Sequence, residues 1–337
     1  MSQSTTPVPD GPPSAPLQSA ADWRGPGLAG HRDWIEVLSE RDMEEIDAAL
    51  TRVEASGKPR HELRAADFGF QHFAEVLADW KRELAEGRGF LLVRGLPVER
   101  YSEAQCALVY WGIGQHLGTP VSQNADGDLL GHVRDTGDDP DDPNVRLYRT
   151  RARQDFHTDG ADIIGLLCLQ RSKSGGESRI ASSIAIFNEI LRTRPELAAA
   201  LFQPFAWDHH GQQRPGARPF WEMPICSLRG GRLNTFFLPW YIRQAQRHSD
   251  APRLTQAQAQ AIEAIEQLAN DPEFYLEMEF LPGDIQLLKN SVILHARNAY
   301  EDHAEPERRR HLLRLWLATD FADGLPETRT GVVAQKK

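Results

Sequence analysis

The chain is 337 residues long and 40% hydrophobic, enough for a substantial core in one large domain or two ordinary ones. A net charge of −10, with no basic block beyond Arg308, Arg309 and Arg310, offers little to a nucleic acid or an anionic membrane, although one basic pocket for a small anion stays open. Cys106, Cys168 and Cys226 are too few and too scattered for a disulfide framework or a CxxC zinc pattern, so the expected setting is a reducing cytoplasm.

Residues 1–28 are rich in Pro, Ser and Gly and are expected to be a disordered segment, with neither a secretory signal nor, anywhere in the chain, a membrane-length apolar run. Folding then starts with two amphipathic helices. "SERDMEEIDAALTRVEAS" opens on Ser39 as a helix N-cap with Met43, Ile46 and Leu50 at helical spacing, and "FQHFAEVLADWKRELAEG" repeats the pattern until Gly87. "GFLLVRGL" reads as a strand and "SEAQCALVYWGIGQHLG" as a helix. The stretch 118–156, with "DTGDDPDDPN" inside it, reads as a long irregular loop of the kind that often carries function.

Short apolar runs follow at regular intervals: "DIIGLLCLQ", "SRIASS", "MPICSLRGGRLNTFFL", "FYLEMEFLPGDIQLLKNSVILH" and "HLLRLWLA". They predict strands of an antiparallel barrel or sandwich, interrupted by helices at "SSIAIFNEILRTRPELAAALF" and "TQAQAQAIEAIEQLAND". No internal repeat or later linker appears. The expectation is a single domain over 29–325 with a flexible tail at 326–337, and a homo-oligomer is left open.

Within this frame "QDFHTDG" places His157 two residues before Asp159. About 1.7 His-x-Asp/Glu triplets are expected by chance in such a composition, and four occur, so the triplet alone decides nothing. His31, His248 and His303 lie in segments that read as solvated surface. His157 closes the long loop and leads into an apolar strand, where a rigid frame can hold two side chains in fixed geometry. His295 ends another apolar strand, after a "PGD" turn read as a hairpin signal. Two histidines and a carboxylate on one face of a metal leave three positions for a cosubstrate and oxygen, which suits non-haem Fe(II). A bland reading, a hydrogen-bonded His-Asp pair and an ordinary core histidine, competes with this at each position taken alone.

In "ERRRHLLRLWLA", strand alternation puts Arg310, Leu312, Arg314 and Trp316 on one face of an otherwise apolar segment. Guanidinium groups there are costly unless an anion meets them, either an internal Asp/Glu partner or a bound dicarboxylate gripped by paired hydrogen bonds.

Together, "HTD" at 157–159, "GGES" at 175–178, "LKNSVILHAR" at 288–297 and "RRHLLR" at 309–314 resemble the TauD/TfdA (taurine dioxygenase-like) family of Fe(II)/2-oxoglutarate oxygenases, over roughly residues 85–320. The resemblance implies a double-stranded β-helix, a mainly β jelly roll with helices outside. It implies Fe(II) on His157, Asp159 and His295, with 2-oxoglutarate and O2 as cosubstrates. Arg310 would meet the distal carboxylate of 2-oxoglutarate, Ser178 stands where the family often has a threonine on that carboxylate, and Arg314 belongs to the site on either the substrate or the cosubstrate side. The implied reaction is oxidation, most simply hydroxylation, of a small molecule with release of succinate and CO2. Asp159 fills the position that related halogenases leave empty. A zinc hydrolase on the same three ligands and a non-catalytic jelly-roll binding module are the rival readings. Loop 118–156 and "WDHHGQQRPGARPFWEMP" at 207–224 are the segments expected to shape the substrate pocket.

Overall fold

The computed structural model describes residues 11–124, 126–140, 145–211, 213 and 216–321; Met1–Asp10 and the expected tail at 326–337 lie outside these. From Leu17 onward the expected disordered lead-in is instead a packed strap. The Leu17 amide donates to Asn188 Oδ1 at 2.8 Å, the Trp23 indole donates to the Arg88 carbonyl at 3.0 Å, and its ring meets Phe90 edge-on at 5.1 Å. Leu17, Ala21 and Trp23 supply apolar anchors that the average composition of the segment conceals.

After α1 (Gly25–Ala29) and β1 (Ile35–Val37), α2 (Glu40–Ser56) starts at Ser39. Ser39 and Asp42 cap each other's amides, and the helix stops at Gly57 in the left-handed region. Short α3 (Ala65–Phe68) precedes α4 (His72–Glu86), whose first amides donate to the Glu45 carboxylate. Then come β2 (Phe90–Arg94) and α5 (Glu103–Leu117), capped by Ser102 and Gln105. The stretch expected to be irregular holds two short strands, β3 (Thr119–Pro120) and β4 (Leu130–Val133), and ends in β5 (Gln154–His157).

The remaining chain gives β6 (Ile163–Gln170), β7 (Ser174–Gly175), β8 (Ser178–Ser182), α6 (Ser183–Thr193) and α7 (Pro195–Ala200). Two hairpins follow, β9 (Phe205–Asp208) with β10 (Phe220–Met223) and β11 (Cys226–Arg229) with β12 (Arg232–Thr235). After α8 (Pro239–Ala245) and α9 (Gln256–Ala269) come β13 (Tyr275–Met278), β14 (Ile285–Lys289), β15 (Ile293–Arg297), β16 (Tyr300–Glu301) and β17 (His311–Ala318).

These strands form the expected double-stranded β-helix. The major sheet runs β1-β2-β14-β6-β17-β3, with β4 also on β17, and the minor sheet runs β13-β8-β15-β5; every pairing in them is antiparallel except β1 with β2. The "PGD" turn proves not to close a hairpin. It carries the chain from β13 in the minor sheet to β14 in the major one, tied down by buried Asp284, which accepts two hydrogen bonds from Arg94 at 2.7 and 2.9 Å.

The alternation of β6 and β17 explains why both read as apolar on both faces. Ile164, Cys168, Leu312 and Trp316 point into the core between the sheets, whereas Ile163, Leu167, Leu313, Leu315 and Leu317 pack under α2, α4 and α5. The first of these layers is where the candidate site lies. No helix among the described residues is long and apolar enough to cross a membrane.

Candidate metal centre and its two cavities

His157 is the last residue of β5, and His295, on β15, is its direct register partner across the minor sheet. Direct partners in an antiparallel pair project to the same face, which brings the rings to 4.2 Å between centroids. Asp159 follows in the turn out of β5. Its amide donates to Asn290 Oδ1 at 2.8 Å while the Asn290 side-chain amide donates to its carbonyl at 2.7 Å, so the backbone that aims the carboxylate is clamped from both sides. Thr158 locks the same turn to Phe237 by a reciprocal pair of hydrogen bonds at 2.8 Å.

The result is a buried triad. His157 Nε2 lies 3.7 Å from Asp159 Oδ1, His295 Nε2 lies 3.8 Å from Asp159 Oδ2, and donor atoms from the three side chains all fall within 4.8 Å of one another. The tautomer of His157 is set by its surroundings: Nδ1 lies 2.8 Å from the Asp155 carbonyl, so Nδ1–H donates and the Nε2 lone pair faces inward. Burial holds both imidazoles neutral, pushing His295 down to about 3 with the nearby His157 adding to the effect. Burial alone would raise the Asp159 carboxyl, but the Arg314 guanidinium and the Trp316 N–H, which donates to Oδ2 at 3.0 Å, hold it below the usual carboxylate range. Two neutral imidazoles and one ionised carboxylate are the protonation states a divalent metal requires.

Every residue singled out in the sequence lines this region, although the arginines divide. Arg310 is buried beside an inner cavity that also touches His157, Asp159, Ser178 and His295. Its Nη1 has no hydrogen-bond partner, its guanidinium lies 5.1 Å from the Tyr300 ring centre, and no described carboxylate pairs with it. The Gly175–Gly176 pair of "GGES" makes room here. Both have positive φ, a Cβ on Gly175 would fall 2.3 Å from the Ala299 carbonyl oxygen, and one on Gly176 would fall 3.2 Å from Arg310 Nε. Ser178 is buried on β8 with the Gln286 amide donating to its Oγ at 3.0 Å.

Arg314 is occupied differently. Its Nε donates to Gln123 Oε1 at 2.7 Å, its Nη1 lies 3.6 Å from Asp159 Oδ2, and its guanidinium lies 4.5 and 4.8 Å from the ring centres of Tyr148 and Trp316.

Arg297 is a site residue that sequence reasoning missed, although it ends the quoted motif "LKNSVILHAR". Being two residues past His295, it shares a strand face with it, and that period was the available signal. It is buried, lies 5.0 Å from the Tyr300 ring centre, donates to the Ala152 carbonyl, and leaves Nε and Nη1 without partners. Burial and the neighbouring Arg310 lower its pKa to about 10.

The triad also opens onto an outer cavity of about 430 Å³ lined by Tyr148, Trp221, Trp240, Tyr241 and Trp316 as well as Arg146. Trp240 approaches His157 to 5.4 Å between ring centroids. The expectation that loop 118–156 and segment 207–224 shape a pocket holds through Arg146, Tyr148 and Trp221, but 207–224 contributes the β9/β10 hairpin rather than a plain connector, and α8 was not foreseen. Of the histidines read as solvated surface, His248 is half-buried and contacts buried Asp208 at 2.8 Å instead of Asp250. Its partner arrives from 40 positions away, beyond any local pattern.

Residues 54–316 match the profile of the taurine catabolism dioxygenase TauD, TfdA family. FR-33289 synthase of Streptomyces rubellomurinus is 30% identical over 332 residues, 96% of this chain and 97% of that protein. Taurine hydroxylase-like protein SAT17 of Stachybotrys chartarum is 32% identical over 309 residues, 89% of this chain and 79% of its own length. Among solved structures, asparagine oxygenase in complex with Fe(II), 2S,3S-3-hydroxyasparagine and succinate aligns over 85% of this chain and 94% of its own, with a TM-score of 0.65 and 17% identity, a likeness of fold.

Proposed function

The chain belongs to the TauD/TfdA family of dioxygenases, and on that premise we propose that it uses Fe(II), 2-oxoglutarate and O2 to hydroxylate an unactivated C–H bond of a small polar molecule, releasing succinate and CO2. His157, Asp159 and His295 would hold the iron, and the bound metal with its cosubstrate would supply the oxidising chemistry. Arg310 would receive the distal carboxylate of 2-oxoglutarate, with Ser178 and Arg297 beside it. Arg314 would orient and charge-balance Asp159. The outer aromatic cavity would take the substrate, with Trp240 at its inner end next to the metal.

One observation carries this reading: three metal-competent side chains converge beside a buried arginine whose Nη1 has no partner and whose guanidinium forms no ion pair with a described carboxylate. A zinc hydrolase would leave Arg310 without a purpose, and a binding module would leave the converging triad without one. The retained carboxylate of Asp159 favours hydroxylation over halogenation. Cys106, Cys168 and Cys226 are buried and joined by no disulfide, which supports placing the protein in a reducing cytoplasm.

The test is anaerobic titration of Fe(II) into protein with 2-oxoglutarate, expecting the weak visible charge-transfer band of an iron-bound ketoacid. A His157→Ala protein that titrates like the parent would overturn the assignment. A panel of small polar molecules scored by succinate release then identifies the substrate.

A further inference from the structure

A second constellation of metal-ligating side chains lies outside the site just described. His132 on β4, His311 at the start of β17 and Glu103 in the first turn of α5 meet at the protein surface. His132 Nδ1 lies 2.9 Å from His311 Nε2, Glu103 Oε1 lies 3.7 Å from His132 Nδ1, and Glu103 Oε2 lies 3.8 Å from His311 Nδ1. We propose that these three residues form a second divalent-metal site, suited to a late first-row ion such as Zn2+, that clips β4 and β17 to α5.

Geometry and protonation both favour it. Zinc bonds to imidazole of about 2.0–2.1 Å in a tetrahedron put neighbouring donors about 3.3 Å apart; one donor atom from each of the three side chains already lies within 4.8 Å of the others, so a modest side-chain closure completes the set, with His311 binding through a single ring nitrogen. The donors come from three different elements whose backbones are already paired or packed, since Leu313 pairs with His132 across β4 and β17. Burial is the main reason both imidazoles stay neutral, with His311 pushed down to about 4, so near neutral pH neither ring carries a positive charge that would repel a cation. Arg134 and Arg60 also disfavour charge on His132, and Glu103 and Asp128 oppose them; a metal would meet the same mixed field. Side chains of His132 and Glu103 are 40% and 56% exposed, which leaves an open approach and room for a water ligand. A shared proton between the two histidines occupies the position that the metal would take.

The location gives the clip a consequence. β4 is the root of the segment running to Tyr148 over both cavities, and His311 directly follows Arg310. A bound ion would join these two strands at the rim of the site without touching its chemistry.

The experiment uses the full chain with the catalytic triad disabled, His157→Ala/His295→Ala, so that metal binding at that centre cannot be confused with the second site. Equilibrium dialysis against Zn2+ should give one bound ion per chain, and Co2+ should give the intense visible bands of a tetrahedral site. Adding His132→Ala and His311→Ala should abolish both signals. Glu103→Gln, an exposed change that leaves the fold alone, should weaken binding about tenfold through loss of one charged ligand. Zinc should raise the melting temperature of the triad-disabled protein and leave that of the quadruple variant unchanged. No stoichiometric zinc in the triad-disabled protein, or an ion that survives loss of both surface histidines, overturns the proposal. Neither result bears on whether the chain is a 2-oxoglutarate oxygenase.

Discussion

The inner and outer cavities share Tyr148, Gln154, His157, Asp159 and Arg314 as a common wall, but the rest of their linings are built largely from different material. Most inner residues stand on strands of the two main sheets, His157 on β5, Ser178 on β8, His295 and Arg297 on β15, each fixed by a ladder neighbour, with Asp159 and Arg310 next to strand ends. Outer residues come from the segment after β4, the β9/β10 hairpin and α8, held by a few tethers such as the Thr158–Phe237 pair. A paired strand defines a side chain's direction to within the pleat, whereas a loop needs contacts from afar to do so. On the proposed assignment the inner cavity would carry the part of the reaction common to the family, and the outer one the part that can vary.

The sharpest way to break this contrast is Asp159→Ala. Turnover of the true substrate should fall by orders of magnitude, whereas some uncoupled 2-oxoglutarate decarboxylation survives, because His157 and His295 still converge and cosubstrate chelation does not need the carboxylate. Asp159→Glu should retain more activity than the alanine protein, since only reach changes. Succinate and oxidised product measured side by side, with folding checked by circular dichroism, decide the point. An alanine variant that turns over like the parent would remove Asp159 from the metal.

Arg310→Ala should come next. Loss of a charge-assisted hydrogen bond in a buried site costs about 1.5–3 kcal/mol, so the KM for 2-oxoglutarate should rise about ten- to a hundredfold. Iron affinity should stay near the parent value. If the reverse pattern appeared, Arg310 would be supporting the triad rather than the cosubstrate.

The outer cavity should answer to a different variable. Trp240→Ala removes an aromatic wall beside His157, worth about 1–2 kcal/mol of contact, which should raise the KM for the substrate about five- to thirtyfold. The KM for 2-oxoglutarate should move less than twofold. Equal changes in both would show that the two cavities act as one.

This division also marks what was legible in the sequence. Caps, periodicity and strand alternation foretold α2, α4, α5, α9 and most strands because each is encoded within a dozen residues. The triad was legible because its members flank strands and the motifs occur in a fixed order. Long-range events were not. Nothing local says that "PGD" sends the chain to the other sheet, that Asn290 clamps Asp159 across 131 positions, or that Asp208 finds His248. Leu17–Trp23 were hidden by averaging, since a few apolar residues suffice to dock a Pro-rich strap on a core already built. The walls of the outer cavity come from segments whose own patterns announce turns and short helices, not which way a tryptophan will face.

The smallest effect falls on Ser178, and it tests how finely the inner cavity is tuned. The side chain is buried on β8, opposite Arg297 in the register with β15, and its Oγ receives the Gln286 amide. If Ser178 meets the cosubstrate, Ser178→Ala would delete one hydroxyl hydrogen bond to a carboxylate whose charge Arg310 already meets, leaving a net cost of about 0.5–1 kcal/mol and a two- to fivefold rise in the KM for 2-oxoglutarate. It leaves Gln286 Nε2 with only Met278 Sδ, at 3.2 Å, and removes the Ser178 hydroxyl that donates to Gln286 Oε1 at 3.2 Å, so a loss of stability should accompany it. Ser178→Thr separates the two contributions, because the threonine common in the family keeps the hydroxyl while its methyl restricts χ1. The threonine protein should match or improve on the parent KM if the hydroxyl faces the cosubstrate. A threonine variant as impaired as the alanine one would mean that Ser178 serves the Gln286 contact alone, and that Arg297, with its two unpartnered N–H groups, is the second partner of the carboxylate.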